Sequence, residues 1–186
     1  GIGNVGEYLL PEDQCSTFFS RDGGETWREI KKGAYQWEFG DHGGVIVLVP
    51  KNSLTDRIFY SIDMGETWSD YILQGAKVYI QDIVTVPGDS ALRFLLIASS
   101  SSVTGGSTKT FTVDFSNVFE RQCSLNPDRP DNEDFKFFSL GQSDSKCLFG
   151  HQERYLMKDN YDCFVGNAPL SEFREITKNC SCTRAD

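Results

Sequence analysis

The chain has 186 residues, 39% of them hydrophobic, and carries 27 Asp and Glu against 18 Lys and Arg, a formal charge of −9. Such a surplus of negative charge argues against nucleic acid as a partner, because a phosphate backbone would be repelled rather than neutralised. The apolar content suffices for a core in one domain, or one domain with a small appendage, and no apolar run approaches the ~18 residues that cross a bilayer.

The chain opens at Gly1 with neither an initiator Met nor a secretory leader, and so reads as a piece of something longer. Cys15 stands alone before the first strand-like run, STFFS, which leads into SRDGGETW at residues 20–27 and then WREIKK. Two more runs, AYQWEF and GGVIVLVP, precede RIFYS, and the eight-residue phrase then returns as SIDMGETW at residues 61–68, followed by WSDYIL. The spacing from Asp22 to Asp63 is 41 residues. Each copy sits between two strands, at a hairpin turn. There a carboxylate accepts hydrogen bonds from turn amides, and glycine tolerates positive φ. Trp27 and Trp68 begin the returning strands with a large apolar ring to bury. The alternating aromatics Tyr35, Trp37 and Phe39 read as one face packed at a blade interface.

Four strands per repeat of ~40–50 residues is the pattern of a propeller blade. After the second copy the rhythm resumes with KVYIQDIVTVPG, ALRFLLIASSSS and KTFTVDFS, but without the phrase. The expectation is all-β: the last blades of a β-propeller over residues 1–121, followed by a small disulfide-rich module over 122–186. Too few blades are present for closure, so an open strand edge is expected, with the missing blades upstream.

Beyond residue 121 the composition changes. Cys123, Cys147, Cys163, Cys180 and Cys182 crowd the last third, among loop-like stretches such as NPDRPDNEDF and GQSDSK that offer little core. Such a segment needs covalent staples, and disulfides imply an oxidising compartment. Zinc is disfavoured, because Cys180 and Cys182 have one intervening residue and His42 and His151 lie near no second ligand. Asn179-Cys180-Ser181 fits the N-glycosylation acceptor pattern. The acidic run lacks the alternating ligands and glycine of a calcium loop and reads as a solvated linker.

The phrase S-x-D-x-G-x-T-W resembles the Asp-box of sialidases, of other glycoside hydrolases and of the sortilin family of sorting receptors. Later features select among these: TVDFSNVFERQC, then KCLFGHQERYLMKDNYDCFVGN and KNCSC, are similar to the end of a sortilin-type propeller running into its ten-cysteine module. CLFGH, DCFVG and NCSCT point to the fungal branch. The resemblance implies a ten-bladed propeller of which these are the final blades, with the first half of the cysteine module attached. Five module cysteines are present rather than ten, so at least one pairs outside the chain or stays free, and Cys15 has the option of an upstream partner. Connectivity stays open.

The family resemblance further implies a type I membrane parent on the luminal side of Golgi and late-endosome membranes. Such a receptor captures soluble hydrolases or propeptides as cargo and releases them on acidification. No cofactor is implied, no membrane contact by this portion, and no ligand-anchoring residue. Only scaffold positions carry over: Ser20, Asp22, Gly24, Thr26 and Trp27 in one box, Ser61, Asp63, Gly65, Thr67 and Trp68 in the other, and the late cysteines as staples.

The alternative is an Asp-box glycoside hydrolase of sialidase type. That chemistry needs clustered arginines and a Tyr/Glu pair, or two facing carboxylates. Arg21, Arg28, Arg57 and Arg93 are scattered near turns, and Asp22 and Asp63 are explained as turn acceptors, so no enzyme is expected. GGSTKT at residues 105–110 lacks the glycine before lysine of a phosphate loop, and SDSK at 143–146 lacks the partner motifs of penicillin-binding enzymes. With two histidines, this portion has little imidazole with which to sense endosomal acidity, so substituting both should leave the pH profile of the whole ectodomain nearly unchanged.

Overall fold

The computed structural model describes residues 1–75, 77–86, 88–100, 107–139, 147 and 150–181. Strands β1 (Ile2–Gly3), β2 (Ser16–Phe19) and β3 (Arg28–Lys32) form one antiparallel sheet. The chain continues through β4 (Tyr35–Gly40), β5 (Val45–Pro50), the two-residue β6 (Leu54–Thr55), β7 (Arg57–Ser61) and β8 (Ser69–Ile72). Of these, β4-β5-β7-β8 make a complete four-stranded antiparallel blade. A third sheet follows from β9 (Val78–Val84), β10 (Arg93–Ser99) and β11 (Thr108–Asp114), with β6 added at the edge of β9. Among the described residues nothing pairs with the other edge of β11.

The run VIVLV explains why β5 is central: Val45 to Val49 are all at most 1% exposed, as a strand covered on both faces must be. Val45, Val47 and Val49 pack with Ile80, Phe94, Leu96 and Ala98 of the third sheet. Ile46 and Leu48 point the other way, toward Phe19 and Ile30 of the first sheet, across a cleft of about 240 Å³. The blades therefore stack face to face on interleaved aliphatic rows. Phe19 meets Phe39 across the first junction at 6.4 Å between ring centroids, which places part of the Tyr35-Trp37-Phe39 row at a blade interface. Gly40 is required by close approach, since a Cβ there would lie 2.4 Å from the Ala91 carbonyl oxygen.

The remaining strands are β12 (Arg121–Gln122), β13 (Phe135–Ser139), β14 (His151–Lys158), β15 (Cys163–Phe164) and β16 (Arg174–Asn179). Strands β13-β14-β16 form an antiparallel sheet, and β12 pairs with β15 in parallel. Their core is small: Cys123, Phe135, Leu156, Cys163 and Val165. Disulfides Cys123–Cys163 and Cys147–Cys180 close loops with sequence separations of 40 and 33 residues. Closures of that length remove enough denatured-state entropy to contribute about 4 kcal/mol each. Cys15 is a buried free thiol, and Cys182 lies outside the described residues. Residues 105–106 of GGSTKT and the whole of SDSK also lie outside them.

Two expectations fail. The ring of Trp27 is not buried; it is 56% exposed, because its strand starts at Arg28 and leaves the indole lying over its own turn. The acidic run is not simply a solvated linker either, since Asp134 is almost completely buried at the foot of β13.

Candidate functional site

Both copies of the repeated phrase fold into the same hydrogen-bonded turn. In the first, between β2 and β3, Ser20 Oγ donates to Asp22 Oδ1 (2.8 Å) and accepts from the Gly24 amide (2.8 Å). Asp22 Oδ1 accepts from the Thr26 amide (2.8 Å) and Oδ2 from the Thr26 hydroxyl (2.5 Å). Between β7 and β8, Ser61 donates to Asp63 (2.7 Å) and accepts from Gly65 (2.8 Å), while Thr67 donates to Asp63 through amide (2.9 Å) and hydroxyl (2.5 Å). The Thr26 hydroxyl, then its amide, hold the Asp22 carboxyl down at about 2. Burial pulls the Asp63 carboxyl up, but Thr67 and Ser61 together outweigh it and keep it below its ordinary value. Carboxylates saturated in this way by their own turn are weak proton acceptors and staple the hairpin.

The copies differ at the second residue, Arg21 against Ile62, at the fourth, and in the fate of the tryptophan. Gly23 has φ 70°; Met64, at the equivalent place, has φ 54°, a left-handed conformation that costs a side chain about 1–2 kcal/mol and is here offset by burial. Trp27 Nε1 donates to the Gly24 carbonyl (2.9 Å). In the second copy the matching carbonyl, Gly65 O, accepts from the Arg28 guanidinium of the preceding blade, and Trp68 Nε1 has no hydrogen-bond partner among the described residues. Arg21 and Arg28, expected to act singly, converge on Glu66 of the second copy. Gly65 has φ 80° and lies against the Phe19 ring, which a Cβ would approach to 2.6 Å. The two boxes thus clasp each other across a blade junction.

A second constellation joins the blades to the cysteine-rich part and was not foreseen. The tip between β4 and β5 holds Asp41 and His42 at φ 50° and 55°. Asp41 is fully buried, with Oδ1 accepting the Val165 and Gly166 amides (2.7 and 2.9 Å) and Oδ2 facing Lys158 Nζ at 3.1 Å. Lys158, also buried, lies 4.7 Å from the Phe119 ring centroid, and His42 Nε2 is 2.8 Å from the Gly166 carbonyl oxygen. Arg21 adds a bond to the Tyr161 hydroxyl (3.3 Å). The only sequence signal was an Asp-His pair beside glycines in a turn, which many surface loops share.

Within the cysteine-rich part, Asp134 accepts both Arg121 guanidinium nitrogens (2.7 and 2.6 Å), the Ser124 amide (2.8 Å) and Asn160 Nδ2 (2.9 Å). Arg121 first, against burial and helped by Ser124, holds its carboxyl at about 2. Cys123, Asp134 and Cys163 bring their ligand atoms within 4.8 Å, yet the two sulfurs are bonded to each other and the carboxylate is engaged, so the set offers no thiolate to a metal. On β14, Glu153 accepts from Arg174, from the Tyr155 hydroxyl and from His151 Nε2 (2.5 Å). Arg174, then Tyr155, hold the Glu153 carboxyl at about 2, and Glu153 pushes the Tyr155 phenol up.

Comparison with known proteins fits this architecture. The family profile described as Sortilin, neurotensin receptor 3 matches residues 1–83, and that described as Sortilin, neurotensin receptor 3, C-terminal matches residues 85–186. The chain belongs to the sortilin family. An uncharacterized membrane glycoprotein of Saccharomyces cerevisiae is 57% identical over the whole chain, which covers 17% of that relative. The vacuolar protein sorting/targeting protein PEP1 of the same species is 56% identical, and the vacuolar protein sorting/targeting protein 10 of Kluyveromyces lactis 53%, in each case over the whole chain and 12% of the relative. The chain thus spans less than a fifth of the length of these relatives.

Proposed function

We propose that this sortilin-family chain is part of the luminal ligand-binding region of a sorting receptor that captures soluble vacuolar or lysosomal hydrolases in the Golgi and delivers them to endosomes. In this reading residues 1–121 are the C-terminal blades of the propeller and 122–186 the start of the ten-cysteine module. The remaining blades belong to the same parent chain, which is anchored in the membrane elsewhere. What carries the reading is the continuous family match across both parts, together with two Asp-boxes whose carboxylates are wholly engaged in their own turns. Ser20, Asp22, Gly24, Thr26 and Trp27, with Ser61, Asp63, Gly65, Thr67 and Trp68, serve as scaffold. Asn179 is exposed at the end of β16 and is available to a glycan.

One observation favours the hydrolase alternative. Tyr155, Glu153 and Arg174 bring together the residue types of a sialidase nucleophile pair. Their electrostatics run against that use, because a Glu153 carboxyl held at about 2 is a poor base and the Tyr155 phenol is pushed up, away from the phenolate.

The test is binding by the complete luminal domain. Immobilised domain should retain a soluble vacuolar hydrolase precursor near neutral pH and release it at about pH 5.5, the range in which such receptors unload. Failure to bind any precursor, together with turnover of a fluorogenic sialoside that is lost on Tyr155→Phe, would overturn the reading in favour of an enzyme.

A further inference from the structure

The loop that joins β1 to β2 presents apolar side chains to water. Val5, Tyr8 and Leu9 are 90%, 79% and 84% exposed, and Leu10 is 42% exposed. Scattered surface leucines are ordinary, but contiguous ones on one loop are not.

The loop is braced. The Asn4 side chain spans it, Nδ2 donating to the Tyr8 carbonyl (2.9 Å) while Oδ1 accepts from the Leu10 amide (2.9 Å). Pro11 starts a 3₁₀ turn at Glu12–Gln14, closed by the Gln14 amide on the Pro11 carbonyl (2.9 Å). Glu12 pairs with Lys51 Nζ (2.5 Å) from the next blade, and the buried Cys15 thiol reaches the Leu10 carbonyl (3.4 Å). Ordering is therefore supplied before any partner arrives, which lowers the entropic cost of binding.

Its position is also informative. Successive hairpins of a meander alternate between the two ends of a blade. The β2–β3, β4–β5 and β7–β8 hairpins, carrying Arg21, Asp41 and Glu66, share the end that meets Tyr161, Val165 and Gly166 of the module. The β1–β2 loop lies at the other end, with Lys51. Its apolar tip is flanked by Glu7 and Asp13, neither of which is in an ion pair among the described residues, while the neighbouring Lys51 is already matched by Glu12. An acidic rim around an apolar tip complements a segment that offers both apolar and basic side chains, and it disfavours an anionic bilayer.

We infer that the Asn4–Asp13 loop is a docking tip for an extended peptide segment carrying adjacent apolar and basic residues. The inference rests on the receptor reading only in taking that segment to belong to cargo. The experiment uses the complete luminal domain as wild type, as Tyr8→Ser/Leu9→Ser and as Glu7→Lys/Asp13→Lys. Probes are a synthetic peptide of alternating Leu and Lys, its Leu and Glu counterpart, a soluble hydrolase precursor, and vesicles containing phosphatidylserine.

Wild type should bind the Leu/Lys peptide and not the Leu/Glu peptide. The serine variant should lose at least tenfold in affinity, and the lysine variant should reverse the preference. Peptide binding that is equal in all three proteins overturns the proposal. So does loss in the serine variant of vesicle binding or of self-association instead, or protection of Tyr8 from hydroxyl-radical labelling in peptide-free wild type, which would show the rest of the receptor covering the tip. If the precursor fails to bind wild type while loop-dependent peptide binding persists, the cargo reading falls and the docking tip stands.

Discussion

Asp41→Asn is the substitution with the largest consequence expected from this structure. Asparagine keeps the left-handed backbone available, since it tolerates the φ of 50° found there, and its carbonyl oxygen retains an acceptor for the Val165 and Gly166 amides. What disappears is the counter-charge of Lys158, whose side chain is 1% exposed. Removing one member of a buried pair and stranding the other costs about 3–5 kcal/mol, against a domain stability of about 5–15 kcal/mol. The loss should appear as weakened docking of the module, because Asp41 belongs to the blade tip and the three partners of its carboxylate, Lys158, Val165 and Gly166, to the module. Hydrogen exchange of the Val165 and Gly166 amides in the complete luminal domain measures this directly, with urea unfolding alongside. Exchange should accelerate by about two to four orders of magnitude, the equivalent of those energies at about 1.4 kcal/mol per tenfold. Adding Lys158→Met to Asp41→Asn removes both charges and should recover part of the loss. Unchanged protection in the single variant, or a double variant as unstable as the sum of the singles, would refute the reasoning.

Asp63→Ala should destabilise by about 2 kcal/mol by leaving three donors, the Ser61 hydroxyl and the Thr67 amide and hydroxyl, without their acceptor, with Asp22→Ala smaller because its turn is more exposed; thermal unfolding of the two variants checks the order. The depressed carboxyls fix a pH window. Asp134 falls from 3.8 to about 2 and Glu153 from 4.5 to about 2, so the stability they supply is full above the higher values and is lost as pH falls through the lower ones. Near-ultraviolet circular dichroism should stay flat through endosomal pH and change only below about pH 4; a transition between about pH 5 and 6 would contradict this. Replacing Cys123 and Cys163 together by Ala should cost about 4 kcal/mol in the module while leaving the Val45–Val49 core intact, as protease mapping would show.

Much of the architecture was legible because it is written in periodic runs. GGVIVLVP and RIFYS read as strands, and the spacing of the two phrases placed equivalent hairpins in neighbouring blades; that VIVLV is covered on both faces emerges only from the packing of the three sheets. The acceptor role of each box aspartate was legible too, since a carboxylate in a tight turn takes the turn amides, whereas the Ser and Thr hydroxyls that also bond it were not. Long-range partners were not. Nothing in the sequence marks Asp41 as a partner of Lys158, more than a hundred residues later, or distinguishes Asp134 from the exposed acids around it. Trp27 misled because aromatic character signals burial, whereas here the indole caps its own turn through Gly24. The docking loop carries no sequence signal of its own: YLLP is an apolar run like a strand, yet β1 and β2 both stop short of it.

The clasp between the two boxes makes their near-identical spelling deceptive. Arg28 occupies a carbonyl that Trp68 would otherwise cap, and Phe19 leaves room only for a glycine at position 65. Each copy is held by its neighbour as well as by itself: exchanging the two phrases would keep every internal bond and leave Gly65 and Glu66 in place, and of the seam it would remove only the Arg21–Glu66 pair, because isoleucine would then stand at position 21. Blades joined this way carry their serial order around the ring in the residues just outside the motif, and a duplicated blade could settle only after those flanking positions had been rewritten.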